Sequence, residues 1–277
     1  MPKLLSQEQV DAYGRDGYVS PIRVMDEGRA NALRARLEAA EAAQGGGLSG
    51  PLRHKPHLLY TWLDELVRDA RILDAVEDVL GPDLLCWSSS FFIKNASDPG
   101  FVSWHQDSTY WGLSEPDVVT AWVALSPSMV ANGCMRVIPG THTLDQVAHR
   151  DTHAAHNMLT RGQEVEVDVD EAQAVNIELR PGEISLHHVR LIHGSGENTS
   201  GTRRIGFAIR YLPPHLRQVN GAHDSAMLVR GEDRFHNFED ERRPAADLHP
   251  DAVAWHRRVA EAHGQILYQG TGRQPYS

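Results

Sequence analysis

The chain is poor in cysteine and has no long apolar run. Its 277 residues include two cysteines, Cys86 and Cys134, which are too few for a disulfide scaffold or for a zinc site built on thiolates. No stretch approaches the roughly 20 apolar residues that a membrane-spanning helix needs. The N-terminal sequence MPKLLSQEQV has no apolar core of a secretory signal. We therefore expect a soluble protein of the reducing cytoplasm.

Basic residues are also scarce. The chain has 27 Lys and Arg against 37 Asp and Glu, a formal net charge of −10. This balance provides no general attraction to phosphate backbones or to anionic lipid, so nucleic acid and membrane surfaces are not expected as partners. The hydrophobic fraction of 41% is typical of a globular protein and excludes disorder. We expect one domain over residues 1–277 that acts on a small molecule; the oligomeric state stays open.

The hydrophobic periodicity changes along the chain. Residues 1–80 have helical spacing, residues 84–213 alternate with a period of two, and residues 214–277 form a polar extension that ends in a helix. The predicted helices are Gln7–Tyr13, Glu27–Ala42, Leu66–Leu80 and Asp251–His263. The predicted strands are Leu84–Lys94, Val118–Ser126, Cys134–Ile138, Glu164–Val169, Ala174–Leu179, Glu183–His187 and Arg203–Leu212. This succession favours a β-sandwich or β-barrel with a helical flank.

Sixteen histidines make metal binding the first hypothesis to examine. His105 and Asp107 are two residues apart, and alternate residues of an extended segment point to the same side, so both can reach one metal ion. His193 follows 86 residues after Asp107. Two imidazoles and one carboxylate on one face of a metal leave open positions, as in non-haem Fe(II) oxygenases. On the same parity argument, Gln106 points away from such a metal.

Arg204 lies eleven residues after His193, on the last long predicted strand. A guanidinium holds a carboxylate in a two-pronged hydrogen-bonded pair and stays charged at any relevant pH. Alternation places Arg204, Gly206, Ala208 and Arg210 on one face of this strand, where the small residues leave room for a ligand. The other face carries large apolar residues and is expected to be core.

Several ordered blocks between residues 84 and 213 together resemble the phytanoyl-CoA dioxygenase family of Fe(II)- and 2-oxoglutarate-dependent oxygenases. They are Trp104-His105-Gln106-Asp107, Tyr110-Trp111, Ala121-Trp122, Asn132-Gly133-Cys134, Ile138-Pro139-Gly140-Thr141-His142, Pro181-Gly182-Glu183, His193-Gly194-Ser195, Arg204 and Arg210-Tyr211.

The resemblance implies a mainly β fold with flanking helices, a double-stranded β-helix (jelly roll, cupin-like). It implies that His105, Asp107 and His193 bind Fe(II) and that Arg204 binds the distant carboxylate of 2-oxoglutarate, with O₂ as the other cosubstrate and succinate and CO₂ as products. Further residues that it places around 2-oxoglutarate are Ser195, Trp122, Gln106 and Ser90, with Lys94 as a weaker candidate.

The resemblance also bears on the reaction and the substrate. Halogenating relatives carry a small residue at the position of Asp107, so the carboxylate favours hydroxylation, desaturation or oxidative cleavage over chlorination. Tyr110 and Trp111, just after the ligands, are expected to contact substrate, and their rings could hold an apolar group or a quaternary ammonium. Arg210 is a candidate for an anionic group. The expected substrate is a polar amine, an aminophosphonate or a natural-product scaffold. Lid candidates are Thr141–Arg161 and Gly221–Pro250.

Alternatives remain at the level of sequence. His187 shares the parity of His193 and could be a ligand, and His149, His153 and His156 could bind zinc if they lay on one helix. An acyl-CoA substrate is disfavoured because no basic cluster is available for the CoA phosphates. A non-oxidative metal-dependent cupin enzyme is another hypothesis, but it gives Arg204 no role in binding a carboxylate. A cupin-like binding protein is a third, and the loss of one metal ligand would have favoured it, but none is missing.

Overall fold

The computed structural model describes residues 2–47, 53–220 and 223–268. Its helices are α1 (Gln7–Asp16), α2 (Glu27–Ala43), α3 (Thr61–Val67), α4 (Ala70–Leu80) and α5 (Pro250–Leu267). Local sequence explains the bounds of α1: Ser6 and Gln9 form a reciprocal capping box, and Gly17 ends the helix at a φ of 81°. Within the described residues, no helix is long and apolar enough to cross a membrane.

The larger sheet has seven strands in the order β1-β9-β4-β11-β2-β12-β13. Its strands are β1 (Tyr18–Arg23), β2 (Leu84–Lys94), β4 (Val119–Ala124), β9 (Glu183–His188), β11 (Arg204–Leu212), β12 (Ser225–Arg230) and β13 (Glu239–Asp240). Every pair is antiparallel except β12 with β13. The central strand β11 pairs along its length with β2 and β4.

The smaller sheet has four strands in the order β3-β10-β5-β8. They are β3 (Val102–His105), β5 (Met135–Val137), β8 (Val175–Ile177) and β10 (His193–Ser195), and a separate hairpin is formed by β6 (His149–Asp151) and β7 (Gln163–Val165). A mainly β fold with flanking helices, the double-stranded β-helix expected from the sequence, is confirmed.

The two faces of β11 contribute to different parts of the interior. Ile205, Phe207, Ile209 and Tyr211 belong to the apolar cluster that the sheet shares with the N-terminal helices. Ala208 belongs instead to a smaller cluster with side chains of the four-stranded sheet, including Met135 and Val137. The face of β11 that carries the small residues therefore looks into the space between the sheets.

Three expectations about elements outside the β-core are wrong. The helix expected over Leu66–Leu80 is two helices, because Asp69 leaves the helical path and accepts hydrogen bonds from the first turn of α4. The helical flank contains β1, which pairs with β9, and the C-terminal extension contains β12, which pairs with β2. Sheet edges recruited these segments although their local patterns are weak. Of the lid candidate Gly221–Pro250, residues 221 and 222 lie outside the described part.

A buried ion pair joins the segment before α3 to the C-terminal extension. Lys55 and Glu241 have fully buried side chains, and Lys55 Nζ lies 2.6 Å from Glu241 Oε1 and donates to the Ser225 carbonyl oxygen at 2.7 Å. His57 Nε2 lies 3.4 Å from the second oxygen of Glu241. Burial opposes ionisation of Glu241, but Lys55 and His57 outweigh it and lower its pKa to about 2. The pair fixes distant segments to each other.

We expect Lys55→Met to destabilise the fold by about 3–5 kcal/mol, since it leaves the Glu241 carboxylate buried without its partner. Chemical unfolding of the variant at neutral pH measures this loss. Arg234→Gln, which breaks an exposed ion pair with Glu232, is the control and should cost less than about 1 kcal/mol. Because the folded-state pKa of Glu241 lies below 4.5, its contribution is complete above pH 4.5 and is lost as the pH falls toward 2. Equal unfolding free energies for the two variants would contradict this assignment.

Candidate metal centre and its cavity

Two histidines and one aspartate meet where the smaller sheet faces the larger one. In the sheet, His193 of β10 is the register partner of His105 of β3, and the next turn begins at Asp107. One ligand atom from each of the three side chains lies within 4.8 Å of the other two, and His105 Nε2 is 3.4 Å from Asp107 Oδ1. The structure thus brings together the three residues expected to form a facial metal site.

Backbone carbonyl groups orient both imidazoles in the same way. His105 Nδ1 lies 2.9 Å from the Ser103 carbonyl oxygen, and His193 Nδ1 lies 2.9 Å from the Leu191 carbonyl oxygen. A proton on Nδ1 that is donated to a carbonyl leaves the Nε2 lone pair free, as a metal-ligating histidine requires. The donor set therefore fits a divalent transition metal bound by two Nε2 atoms and a carboxylate.

Asp107 is held ionised. Burial opposes its charge, but the adjacent imidazoles of His105 and His193 and the charge of Arg210 lower the pKa of its carboxyl group below the ordinary range. Its backbone N–H donates to the Val189 carbonyl oxygen at 3.0 Å. An ionised carboxylate at a fixed position is the form that binds a metal.

The alternative ligand His187 lies close to the site but outside the group of three. It belongs to β9 of the larger sheet, its Nε2 is 4.0 Å from Asp107 Oδ2, and its buried Nδ1 has no hydrogen-bond partner. Burial lowers its pKa to about 4, so this imidazole is neutral. The zinc alternative does not fit, because His149 lies on a strand and His153 and His156 both have positive φ, so no helix aligns them.

Beside the metal group of His105, Asp107 and His193, a narrow inner cavity of about 40 Å³ includes Arg204 in its lining, and the buried Lys94, outside that lining, contacts the lining residue Ser195. Arg204 is 2% exposed, and its guanidinium donates to the Gly133 carbonyl oxygen. The guanidinium carbon lies 5.5 Å from the centre of the Trp122 ring, and the buried Nε has no hydrogen-bond partner. Lys94 Nζ donates to Ser195 Oγ at 2.7 Å. Burial, reinforced by Arg204, lowers the pKa of Lys94 to about 7. Within the described ranges, neither cation has a carboxylate partner.

A larger outer cavity of about 370 Å³ adjoins the inner one. Both cavities are lined by Phe92, Asp107 and Arg210, so these residues mark the junction. The expected substrate contacts Tyr110 and Trp111 line the outer cavity. Ser90, expected near 2-oxoglutarate, lies here as well and not in the lining of the inner cavity.

Gln106 does not fit the expected role beside the cosubstrate. Its side chain is buried and points away from both cavities: Nε2 donates to the Arg190 carbonyl oxygen at 3.0 Å, and Oε1 accepts from the Val147 backbone N–H at 2.9 Å. The alternation between His105 and Asp107 explains this direction. Gln106 instead attaches residues 145–147 to the metal motif.

Some residues of the site were only weakly indicated by the sequence, and others were not apparent from it. Lys94, the weaker candidate for 2-oxoglutarate, shares the strand parity of Ser90 and Phe92 and is the register partner of Arg204. His263 and Leu267 of α5, together with residues 158–161, complete the outer cavity. These segments are distant in sequence and carry no motif, so no local pattern indicates their position.

The chain is similar to known proteins. A family model described as "Phytanoyl-CoA dioxygenase (PhyH)" matches residues 3–206. A relative from Stutzerimonas stutzeri, named "Probable alpha-ketoglutarate-dependent hypophosphite dioxygenase", is 30% identical over 183 residues, which are 64% of this chain and 63% of that protein. The chain thus spans less than two thirds of the length of that curated relative.

Solved structures are also similar. One titled "non-heme monooxygenase; ThoJ apo" has a TM-score of 0.84 at 35% identity, with 94% of this chain and 98% of that chain covered. Another, titled "CytC3 with Fe(II) and alpha-ketoglutarate", has a TM-score of 0.64 at 25% identity, with coverage of 87% and 94%.

Gly206 allows the close approach of Trp122 to β11. A Cβ atom at this position would overlap the six-membered ring of the Trp122 indole. We expect Gly206→Ala to displace Trp122 and to destabilise the fold by about 1–3 kcal/mol, measured by chemical unfolding. Gly201→Ala is the matched control, because a Cβ atom there meets no other atom within 4 Å. Equal stability of the two variants would argue against this packing.

Proposed function

The chain belongs to the phytanoyl-CoA dioxygenase family, and from this premise we propose that it is an Fe(II)- and 2-oxoglutarate-dependent oxygenase that hydroxylates a small polar metabolite and releases succinate and CO₂. The observation that carries the proposal is the inner cavity. Its lining includes the three candidate metal ligands and Arg204, and among the described residues the Arg204 guanidinium has no carboxylate partner. A short dicarboxylate that chelates a metal through its keto acid has a second carboxylate for Arg204.

The donor set assigns the binding roles. His105, Asp107 and His193 would hold Fe(II). Arg204 would bind the distant carboxylate of 2-oxoglutarate, and Ser195 would lie beside that carboxylate. Trp122 would form part of the cavity wall along the cosubstrate. When bound, Fe(II) and 2-oxoglutarate together activate O₂ for insertion of oxygen into a C–H bond.

The protein's own residues contribute orientation and exclusion of water. The carbonyl groups of Ser103 and Leu191 fix the imidazole rings, so that both Nε2 atoms would be available to hold Fe(II). Apolar side chains, among them Val102 and Met135, line the inner cavity. A dry, preformed site strengthens the attraction between Arg204 and a carboxylate and keeps water from reactive species.

The reaction type and the substrate class follow from what lines the site. Asp107 occupies the carboxylate position, which supports hydroxylation. The substrate would enter through the outer cavity and contact Tyr110, Trp111 and Arg210. Polar amines, aminophosphonates and natural-product scaffolds remain the proposed classes, and the hypophosphite named for one relative agrees with a small polar compound. The cytoplasmic location and the single domain remain predictions.

Arg204→Gln should weaken 2-oxoglutarate binding by roughly ten- to hundred-fold, because a charged hydrogen-bond partner in a buried site contributes about 1.5–3 kcal/mol. Calorimetric titration of the metal-loaded protein with 2-oxoglutarate measures the change. The neighbouring Arg203 faces the opposite way and donates to Glu41 at 2.7 Å, so Arg203→Gln is a control with the same change in charge. A similar affinity loss in both variants would contradict the role of Arg204.

The oxygenase activity itself is tested by succinate release. Fe(II)-loaded protein should form succinate from 2-oxoglutarate under air. A true substrate should increase the rate of succinate formation, and one molecule of substrate should be oxidised for each additional molecule of succinate. His193→Ala removes a metal ligand and should abolish the formation of both succinate and oxidised substrate. Far-ultraviolet circular dichroism is the control that the variant is folded. A folded, iron-loaded protein that neither binds nor consumes 2-oxoglutarate would overturn the proposal.

A further inference from the structure

We propose that the substrate carries an anionic group, a carboxylate or an oxyacid of phosphorus, and that Arg210 binds this group at the junction of the two cavities. The inference rests on the proposed function, because it concerns the substrate of the same site. It narrows the substrate classes to compounds with a negative charge and excludes simple amines.

The position of Arg210 mirrors that of Arg204. Both project from the same face of β11, six residues apart, with Gly206 and Ala208 between them. Arg204 closes the inner cavity, whereas Arg210 lines both cavities next to Asp107. A substrate anchored by Arg210 would therefore lie beside the metal group, on the side opposite to the end where Arg204 binds 2-oxoglutarate.

The guanidinium of Arg210 is buried and incompletely paired. The residue is 7% exposed, Nη1 donates to Ser90 Oγ at 2.5 Å, and Nε has no hydrogen-bond partner. Within the described residues it forms no ion pair. A buried cation whose only side-chain partner is a neutral hydroxyl is costly, and a bound anion would satisfy both its charge and its free donor.

The other charged groups of the outer cavity do not supply that anion. The described lining includes a single acid, Asp107, whose charge a divalent ion in the metal group would take up. Arg161 donates to Asp151 Oδ2 at 2.9 Å and is neutralised there. Among the described residues, Arg210 is therefore a cation of this wall without a carboxylate partner, in a chain whose net charge is −10.

Neutral polar atoms complete the anion site. The rings of His54 and His263 stack at 4.1 Å on the cavity wall, and His54 Nε2 and His263 Nδ1 are buried without hydrogen-bond partners. Burial lowers the pKa of His263 to about 4, so its ring is neutral at pH 7. Neutral imidazoles can donate to or accept from the polar end of a substrate without adding charge.

The aromatic residues are unsuited to a quaternary ammonium, which the sequence had suggested. The Arg161 guanidinium carbon lies 3.6 Å from the ring centre of Tyr110, and that of Arg210 lies 5.8 Å from a Trp111 ring centre. Both rings already have a cation near them. A cationic substrate would meet repulsion from Arg210, whereas an anionic one would be attracted.

The test is equilibrium binding under conditions that block turnover and fill the Arg204 site. Protein loaded with Ni(II) and saturating 2-oxoglutarate is titrated with matched series of carboxylates and phosphonates, their amides and amines on the same carbon skeleton. Trp87 and Trp111 line the outer cavity, so tryptophan fluorescence reports occupancy, and calorimetry provides the affinity. We expect acids to bind at least about tenfold more tightly than their amides and amines.

Variants separate the role of Arg210 from a change in folding. Arg210→Gln should remove the preference for acids, and Arg210→Lys should retain part of it, because the charge remains while the two-pronged geometry is lost. Arg234→Gln, the same charge change on the surface, should leave the preference unaltered. Circular dichroism establishes that each variant is folded, and Arg210→Lys keeps the test decisive if the glutamine variant does not fold.

Three results would each overturn the anion site. They are amides or amines that bind as tightly as acids, acid binding that survives Arg210→Gln, and no acid binding up to about 10 mM. Failure of the proposed function has a different signature, since the metal-loaded protein would then not bind 2-oxoglutarate in the preceding titration. In that case the acids are titrated without it, and Arg204→Gln shows which arginine they occupy.

Discussion

Buried positive charge on one strand is the constraint on which the site depends. Strand β11 packs one face against the helical side of the core and presents Arg204 and Arg210 on the other, both almost without exposure. Burial of a guanidinium group away from water is costly. A hydrogen-bond partner, a counter-charge or a bound ligand must compensate this desolvation. Gly206 leaves room for the Trp122 indole, and Ala208 lines the inner cavity. On the functions proposed above, the strand supplies one arginine for 2-oxoglutarate and a second for the anionic group of the substrate.

The metal group is positioned mainly by backbone. His105 and His193 are register partners on adjacent strands, and each ring is oriented by the carbonyl group two residues before it. This repeated arrangement needs no further side chain to set the direction of Nε2. Asp107 is then placed by the turn that follows β3. Packing of the sheets thus leads directly to a set of ligands that share one open side, which is what a cosubstrate and O₂ require.

Strand parity accounts for most of the agreement between sequence and structure. Alternation along β11 correctly separated its cavity face from its core face, and β2 begins and ends as expected. The same rule indicates that Gln106 turns away from the metal, whereas the family resemblance had placed it beside the cosubstrate. The expected continuous helix before β2 is broken at Asp69, since a side chain that caps the backbone competes with helical continuation.

Sequence by itself determined the period of each long strand, the chemistry of the three ligands and the presence of Arg204, because these depend on neighbouring residues and on side-chain type. Only the tertiary structure decided that β1 and β12 extend the larger sheet, that Lys94 lies beside Arg204, and that α5 closes the outer cavity. Such contacts join residues far apart in the chain, and their free energy comes from burial and pairing that no local pattern encodes. The charge of the outer cavity is likewise a property of the assembled walls, since the chain as a whole is acidic.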